Sequence, residues 1–370
     1  MHPQNSEEKW QEEVLQAPPI SLSQSYTVEQ LKEDLLPLGH HDSSITSDLP
    51  ETTPSRRRAS TLAQSLDKDE YLPAKISFTG EGGTKDIGPD QATVLYLAYG
   101  SNLASATFLG SRGIRPLSQI GVTVPGLRLT FDLPGVPYLE PCFAATQFRA
   151  TPSDDNVNPD SADIYSSEKQ ALIQPSNNGQ DRYRGPLIGV VYEVTLTDYA
   201  KIIATEGGGR GYKDIVMTCY PFPENYNPAD PISEHPGTQP FKAHTLLSPT
   251  GLQELKQKPR CAQPSARYLN LITTGAAEHN LPLAYRKYLA QIQPYRITSI
   301  RQRIGMMVLV VTWAPLFLIT LGLGRIFARP DGRSPEWLGR VQDFVSTSMW
   351  CSYDNVLVHI FGDGERTVER

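Results

Sequence analysis

The clearest pattern in the chain is a run of strand-forming apolar residues that stops at a short polar loop. Residues 93–103 read TVLYLAYGSNL, and the apolar run ends at Gly100, Ser101 and Asn102. Glycine permits left-handed backbone, while Ser and Asn side chains readily hydrogen-bond the main chain. The pattern predicts a buried strand whose end loop gathers N–H groups around a carboxylate or phosphate. A plain turn would explain the same residues, so the loop alone does not establish a function.

Further apolar runs predict strands at residues 126–132, 142–148, 185–194 and 212–222. Helices are expected at residues 266–279 and 282–292, the first with Tyr268 on its apolar face and the second opened by Pro282. A buried tyrosine hydroxyl needs a hydrogen-bonding partner, and an ordinary core tyrosine satisfies this pattern.

Between residues 185–194 and 212–222, the spacing predicts a helix that begins at the N-cap Thr195 and ends at the Gly207–Gly209 run. Glu206 then lies in the last turn, at the negative end of the helix dipole. This position should raise the pKa of its carboxyl group toward the range useful for proton transfer. A solvated glutamate at a helix end is the simpler interpretation of the spacing alone.

Polar segments surround these elements. Residues 1–88 are rich in Ser, Thr, Pro, Asp and Glu and are predicted to be disordered, whereas residues 89–295 are predicted to form the folded domain. Residues 151–183 and 221–241 look like polar insertions in that domain, placed to lie over a functional site.

Composition narrows the classes of function. A mean hydropathy of −0.35 and 31 prolines favour one core of medium size beside unpacked segments. The net charge is −6, and residues 1–88 hold 15 Asp/Glu against 8 Lys/Arg, so the remainder carries about +1. This balance argues against nucleic-acid binding. The four widely spaced cysteines and seven scattered histidines predict a reducing compartment and no metal site.

The strongest apolar run is residues 304–324, IGMMVLVVTWAPLFLITLGLG, which contains no charged residue. Its length matches the hydrocarbon core of a bilayer, so it predicts a single transmembrane helix. The alternative is a buried hairpin of two short helices broken at Pro315. Flanking charge does not set the orientation, because residues 286–303 supply five basic residues and residues 325–340 supply four.

A cytosolic location of the folded domain is favoured by the reduced-looking cysteines, and the tail of residues 325–370 would then lie across the membrane. Trp337, Leu338 and Phe344 predict a short amphipathic helix in that tail.

At the other end of the chain, residues 56–60 read RRRAS, the arrangement that a basic-directed protein kinase recognises. Ser60 is therefore a candidate phosphorylation site, although such short motifs also arise by chance.

Three segments in this order and spacing resemble the γ-glutamylcyclotransferase family, in its fungal form. They are YLAYGSNL (residues 96–103), GVVYEVTLTDYAKIIATEGGGRGY (residues 189–212) and PSARYLNLITTGAAEHNLPLAYRKYLAQI (residues 264–292). The resemblance covers roughly 200 residues of the chain. It implies an α+β fold, with a small mixed β-barrel or sheet and flanking helices, in addition to the predicted transmembrane helix.

The resemblance also implies a reaction and its residues. The α-amine of a γ-glutamyl group attacks the side-chain amide carbonyl and releases 5-oxoproline, with no cofactor. Glu206 is implied as the general acid and base. The residues implied to hold the substrate are Tyr99, Gly100, Ser101, Asn102, Leu103 and Tyr268.

The substrate class stays open between glutathione, a γ-glutamyl amino acid and a glutathione adduct. The Gly-rich residues 207–211, which include Arg210, depart from the family pattern, and Arg210 is either a ligand for a substrate carboxylate or a solvated side chain. The alternative function is a non-catalytic, membrane-anchored module of the same fold that binds γ-glutamyl ligands. It would have no need of the acid/base Glu206.

Overall fold

The computed structural model of the protein describes residues 49–63, 66, 92–149, 185–205, 213–247, 262–327 and 334–368. All of them belong to one compact unit, Ser43–Arg370. The strands in these ranges are β1 (Thr93–Ala98), β2 (Ser118–Val124), β3 (Leu127–Val136), β4 (Glu140–Phe148), β5 (Leu187–Thr195), β6 (Lys213–Pro221) and β7 (Phe241–Leu247). The helices are α1 (Pro54–Ala59), α2 (Leu196–Thr205), α3 (Ala266–Glu278), α4 (Leu283–Gln291), α5 (Ile300–Ile326), α6 (Glu336–Ser352) and α7 (Val358–Phe361). The predicted α+β class is confirmed.

Five strands pair in the order β1-β5-β2-β6-β7 and close on themselves. β1 runs antiparallel to β5, and β7 meets β1 in parallel where Tyr96 lies opposite His244. The first six residues of β5 are all buried, because this strand lies between β1 and β2. Its continuous apolar sequence suits a strand covered on both faces. The barrel core lies beside the end of β1, where the predicted substrate loop begins.

Two barrel strands, β2 and β7, were not predicted. β2 reads SQIGVTV and opens with two polar residues, so it has neither a continuous apolar run nor a strict alternation. β7 reads FKAHTLL and begins at Phe241, where the sequence pattern indicated the end of an insertion. Both strands are identified by their pairing partners, β5 and β6, and pairing is not visible in a single sequence.

Residues 222–240 are folded against the rest of the domain. The Tyr226 hydroxyl donates to the Asn280 carbonyl oxygen at 2.9 Å, and the Leu283 N–H donates to the Pro228 carbonyl oxygen at 2.8 Å. This segment therefore packs on the connection between α3 and α4. The other expected insertion, residues 151–183, lies outside the described residues.

The prediction that residues 1–88 are disordered is wrong for the part that the structure describes. Residues 49–63 contain α1, and Leu66 is 3% exposed in the hydrophobic core. The Thr52 N–H donates to the Gln119 carbonyl oxygen of β2 at 3.1 Å. Composition predicted disorder because this segment has few apolar residues, but it is held mainly by hydrogen bonds and ion pairs to the barrel strands.

α5 is one helix of 27 residues that continues through Pro315, so the alternative of two short helices is wrong. Its segment Ile300–Gly324 is long and apolar enough to cross a membrane. α6 returns antiparallel beside α5. A Cβ atom added to Gly305 would lie 2.6 Å from Phe361, and one added to Gly324 would lie 3.8 Å from Gln342.

The end of the chain then returns to the barrel domain. The Gln263 N–H donates to the Glu365 carbonyl oxygen at 2.9 Å, and the Tyr138 N–H, between β3 and β4, donates to the Gly364 carbonyl oxygen at 2.7 Å. The expectation that the tail lies across a membrane from the catalytic domain is therefore wrong. The predicted amphipathic helix exists as α6, but it forms a helical hairpin with α5.

Candidate active site

The loop after β1 forms a tight turn. Ser101–Leu103 is one turn of 3₁₀-helix, closed by the Leu103 N–H, which donates to the Gly100 carbonyl oxygen at 3.0 Å. The Ala104 N–H donates to the Ser101 carbonyl oxygen at 3.2 Å. These two bonds occupy the carbonyl groups of Gly100 and Ser101. The N–H groups of the same two residues take no part in the turn.

A cavity opens beside this turn, between β1, β4, β7 and α3. The residues that line it are Tyr96, Tyr99, Gly100, Ser101, Asn102, Ala144, Leu246 and Tyr268. Five of the six substrate-binding residues implied by the resemblance therefore lie on one cavity wall, although they come from two distant parts of the sequence.

The backbone of the loop has unpaired hydrogen-bond donors at two residues that line this cavity. Within the described part of the chain, the N–H groups of Gly100 and Ser101 donate to no protein acceptor. Two adjacent, unpaired N–H groups form a small site of positive potential, which suits a carboxylate or a polarised carbonyl oxygen. No charged side chain is among the described residues of the lining, so the donors are neutral.

Gly100 leaves space beside the cavity and does not have a left-handed backbone conformation. Its φ is −109° and its ψ is −138°, so the expectation of a left-handed glycine is wrong here. A Cβ atom at this position would lie 3.3 Å from the Tyr268 hydroxyl oxygen and 3.6 Å from the Ala144 Cβ atom. Any side chain at position 100 would therefore project toward the cavity.

Tyrosine hydroxyl groups fix the cavity wall. The Tyr99 hydroxyl donates to the Leu246 carbonyl oxygen at 2.8 Å, and the Tyr268 hydroxyl accepts from the Ala144 N–H at 3.1 Å. Tyr268 is 7% exposed and packs edge-on against Phe143. The predicted need of Tyr268 for an internal partner is thus met by the backbone of β4.

Tyr96 belongs to the site but was not predicted. Its hydroxyl accepts from the Asn102 side-chain N–H at 2.8 Å, which links the strand to the turn that follows it. No local pattern singled out Tyr96, because its place in the site depends on the hydrogen bond with Asn102 in the folded turn. Ala144 and Leu246 were also missed, because they come from β4 and β7 and reach the cavity only through the sheet pairing.

Leu103 does not line the cavity. It is fully buried and lies against α3, where a Cβ atom added to Gly275 would come within 2.5 Å of the Leu103 Cβ atom. Leu103 is therefore a packing residue that anchors the turn.

His279 supports the same turn from behind. Its Nε2 atom lies 3.0 Å from the Leu103 carbonyl oxygen and 2.7 Å from the Tyr192 hydroxyl oxygen. Burial lowers the pKa of His279 to about 4, so the ring is neutral near pH 7. Because a carbonyl can only accept, Nε2 carries the proton and donates it to Leu103. This bond holds the end of the substrate loop in place.

Glu206 lies outside the described residues, as do residues 207–211. The helix that precedes it is confirmed: α2 spans Leu196–Thr205, and the Asp198 N–H donates to the side chain of the N-cap Thr195 at 3.1 Å. The Thr205 side chain accepts a hydrogen bond from Arg112 at 2.5 Å. The described geometry therefore fixes the residue immediately before the candidate acid/base.

Several curated proteins are similar to this chain along most of their length. The Gamma-glutamyl cyclotransferase gliK of Aspergillus fumigatus is 30% identical over 273 residues, which cover 74% of this chain and 89% of the relative. The Gamma-glutamyl cyclotransferase aclK of Aspergillus oryzae is 32% identical over 278 residues, covering 74% of this chain and 90% of the relative. The Gamma-glutamyl cyclotransferase gliK of Claviceps purpurea is 26% identical over 264 residues, which cover 71% of this chain and 99% of the relative.

Two other comparisons concern parts of the chain. Residues 299–360 match the family model of the AclK C-terminal domain, and this range contains α5, α6 and most of α7. Among solved structures, one titled Gamma-glutamyl cyclotransferase aligns with a TM-score of 0.36 and 18% identity, covering 56% of this chain and 92% of that one.

Proposed function

The chain belongs to the γ-glutamylcyclotransferase family, and from that membership we propose how its residues perform the cyclisation. The substrate is a compound with a γ-glutamyl group. The loop at residues 99–102 and Tyr268 hold that group, and Glu206 transfers the protons. The observation that carries the assignment of the loop is the pair of unpaired N–H groups at Gly100 and Ser101 on the cavity wall.

The N–H groups of Gly100 and Ser101, here called the cradle, have the correct chemistry to hold the substrate in a bent conformation. The two N–H groups are suited to bind the α-carboxylate or the side-chain carbonyl oxygen of the γ-glutamyl group, with no competing acidic side chain among the described lining residues. The surrounding tyrosine rings exclude water from the reacting bond. Holding the γ-glutamyl group bent brings its α-amine next to its γ-carbonyl carbon. Most of the entropic cost of ring closure is then offset by the free energy of substrate binding.

The proton transfers follow from the balance of the reaction. Glu206 takes one proton from the α-ammonium group, and the free amine attacks the γ-carbonyl carbon. The new N–C bond closes the lactam ring of 5-oxoproline, and the original amide C–N bond breaks. Glu206 gives this proton to the departing nitrogen as the amide bond breaks. The ring nitrogen releases its second proton to Glu206, which leaves the lactam with one N–H, and that proton passes to the released amine, which departs as an ammonium ion. One carboxyl group therefore serves each transfer in turn, and no cofactor is consumed.

The alternative of a non-catalytic binding module is not favoured, because the similar proteins along most of the chain are named as cyclotransferases. The substrate class is tested with a panel of glutathione, γ-glutamyl amino acids and glutathione S-conjugates, measuring 5-oxoproline release by the full chain. Release from at least one class is the expected result. No release from any member of the panel would contradict the proposed function.

The outer face of α5 supports a second proposal, that the protein is associated with a membrane. Large apolar side chains on this face are exposed to solvent along the helix, among them Ile304, Met307, Val311, Leu318, Ile319, Leu321 and Ile326. An apolar patch of this extent is covered in most proteins. A lipid bilayer is the proposed cover, because the helix has the length and hydropathy of a membrane-spanning segment.

Membrane association is measured by flotation of the full chain with phospholipid vesicles. The wild-type protein should float with the vesicles, whereas the double variant Val311→Asp/Leu318→Asp should remain in the dense fraction. Equal flotation of both proteins would remove α5 as the anchor. The placement of the barrel domain in the cytosol is a proposal supported by the free, buried thiol of Cys219.

A further inference from the structure

The N-terminal strap, defined as residues 49–63 together with Leu66, lies across the barrel. At its start, the Gln119 N–H of β2 donates to the Pro50 carbonyl oxygen at 3.0 Å. Further along, Arg56 is 2.7 Å from the Glu193 carboxylate of β5, and its guanidinium also donates to the Thr93 carbonyl oxygen of β1 at 3.1 Å. These contacts connect the strap to three neighbouring strands.

The second half of the strap reaches the two remaining strands of the barrel. The Lys242 N–H of β7 donates to the Ser60 hydroxyl oxygen at 3.3 Å, and the Leu66 N–H donates to the Asp214 carboxylate of β6 at 2.6 Å. Because the strap contacts all five strands, its docking stabilises the closed arrangement of the sheet. Two junctions of the barrel have few paired positions, one between β1 and β7 and two between β2 and β6.

Ser60 is at the centre of the docked strap. It is 5% exposed, and its hydroxyl donates to the Arg57 carbonyl oxygen at 2.7 Å while accepting from Lys242. A phosphoryl group on this oxygen would break both bonds and bring roughly two negative charges into a buried position. The docked strap therefore excludes a phosphorylated Ser60.

The sequence around Ser60 is nevertheless a recognition pattern for a basic-directed kinase, RRRAS at residues 56–60. Arg56 is occupied by Glu193, whereas Arg58 is exposed. We propose that Ser60 is a phosphorylation site that docking of the strap conceals, and that its phosphorylation keeps the strap released. In the released segment, the phosphate pairs with the arginines that otherwise face the barrel.

The Glu193 carboxylate gives the strap its firmest attachment. Burial alone would raise the pKa of Glu193, but hydrogen bonds from Thr93, Arg56 and Ser118 outweigh that effect and lower it. The carboxylate is therefore charged at neutral pH, and it holds Arg56 in a partly buried ion pair. Loss of that charge should loosen the strap without altering the kinase motif.

Release of the strap would also affect the catalytic helix, an effect that rests on the proposed function. Asp214 accepts hydrogen bonds from Leu66, from the Tyr199 hydroxyl of α2 and from His244, whose Nδ1 atom is 3.1 Å away. Tyr199 packs against Tyr96, which lines the cavity, at a ring distance of 5.9 Å. Without Leu66, the buried Asp214 loses one donor, so α2 should be held less firmly.

The covalent step is an ordinary phosphoryl transfer. The Ser60 oxygen forms a bond to the γ-phosphorus of ATP, the bond from that phosphorus to the β-phosphate oxygen breaks, and ADP leaves. The hydroxyl proton passes to the base of the kinase. The reaction needs the kinase and ATP as partners and nothing else from this chain.

The experiment uses the full chain, the catalytic subunit of cAMP-dependent protein kinase and ATP, with mass spectrometry of residues 49–66. Glu193→Gln leaves RRRAS intact and loosens the strap, so phosphate incorporation at Ser60 should be at least about 10-fold faster than in the wild type. Ser60→Ala should show no incorporation in this segment. Absence of phosphate at Ser60 in both wild type and Glu193→Gln, or equal rates in the two proteins, would overturn the proposal.

A second measurement is independent of catalysis and of the kinase. Amide hydrogen exchange of residues 49–63 is compared for Ser60→Glu and for Ser55→Glu, which places the same charge at an exposed position of α1, the helix that precedes Ser60. Ser60→Glu should exchange at least about 10-fold faster than the wild type, and Ser55→Glu should match the wild type. Identical exchange in the two variants would contradict the release of the strap by charge at Ser60, whatever the outcome of the 5-oxoproline assay.

Discussion

At the scale of single residues, Gly100 connects the fold to the proposed chemistry. Its N–H group belongs to the cradle, and its Cα atom faces the space between the Tyr268 hydroxyl and Ala144. Its φ of −109° is outside the left-handed region that favours glycine. Substitution at this position should therefore fill the cavity without unfolding the protein.

We expect Gly100→Ala to raise KM by about 10-fold or more, equivalent to roughly 1.4 kcal/mol of lost binding, and Gly100→Val to raise it further. The melting temperature should change little. Gly237→Ala is the matched control, because a Cβ atom there meets no other atom within 4 Å. Steady-state kinetics of 5-oxoproline release provide the measurement, and an unchanged KM in Gly100→Val would contradict the cradle.

His279 predicts a pH dependence of stability. Its pKa is lowered from 6.5 to about 4 in the folded protein because burial disfavours the charged ring. Between these two pKa values the unfolded chain binds a proton that the folded chain does not. The contribution of His279 to stability is therefore fully present above about pH 6.5 and is lost as the pH decreases toward 4. For this partly buried ring the loss should be of the order of 2 kcal/mol.

Urea denaturation at pH 7 and pH 4.5 measures this effect. In His279→Gln the slope of stability against pH over this range should be smaller than in the wild type. His235→Gln, at an exposed position, should keep the wild-type slope. Parallel curves for wild type and His279→Gln would show that another group controls the acid sensitivity.

At this scale, the candidate substrate-binding residues came only from a pattern of three separated segments. All of them except Leu103 line the cavity, and their contact with substrate stays a prediction. The reason for Gly100 was predicted incorrectly, because the space that a side chain would occupy is formed by Ala144 and Tyr268 from distant elements. The role of Tyr96 was missed for a similar reason. It depends on a hydrogen bond with the Asn102 side chain, and no local sequence rule places these two groups together.

At the scale of elements, α3 positions the substrate turn by direct contact. A Cβ atom on Gly275 would lie 2.4 Å from the Leu103 carbonyl carbon and 2.5 Å from the Ala104 nitrogen. The helix can approach the turn this closely only because position 275 has no side chain. Because Tyr268 belongs to α3, the distance between this helix and the turn sets the position of the Tyr268 side chain in the cavity lining.

We expect Gly275→Ala to decrease the free energy of unfolding by about 2 kcal/mol, because the added methyl group must displace backbone atoms. The helix propensity of alanine recovers only a part of this loss. Gly322→Ala in α5 is the control, since nothing lies within 4 Å of its Cβ position. If urea denaturation gives equal stability for the two variants, the close approach of α3 to the turn is not required.

Elements with local signals were predicted well, and those without them were not. The helix after the N-cap Thr195 was found at its observed start, and the apolar face that includes Tyr268 placed α3 within one residue of its observed ends. β2 and β7 lack such signals and depend on pairing with β5 and β6. The strap was assigned to disorder because Arg56 and Ser60 gain partners only from the barrel strands.

At the scale of the whole molecule, the hairpin of α5 and α6 returns the end of the chain to the barrel domain. Gln302, at the start of α5, donates to the Asp363 carbonyl oxygen at 2.7 Å, and the Arg296 N–H donates to the Thr367 side chain at 2.9 Å. The apolar length of α5 was readable from sequence. The amphipathic pattern of α6 was readable too, but its antiparallel pairing with α5 was not, because a single sequence does not show which helices pack together.

This arrangement predicts that the C-terminus lies on the same side of any membrane as the barrel domain. In sealed vesicles carrying the full chain, a protease added outside should reach a C-terminal tag and a tag after Gly237 together, or should reach neither. A chain in which one tag is cleaved while the other is protected would contradict the return of the tail. Detergent-permeabilised vesicles, in which both tags are cleaved, are the control.

The central claim is that Glu206 transfers the protons while the loop after β1 holds the γ-glutamyl group. The most direct test compares wild type with Glu206→Gln, measuring both 5-oxoproline release and binding of a γ-glutamyl substrate by calorimetry. Glu206→Gln should lose at least about 100-fold in kcat and keep its substrate affinity within a few-fold, whereas the exposed control Glu224→Gln should match the wild type. Equal turnover by wild type and Glu206→Gln would contradict the account.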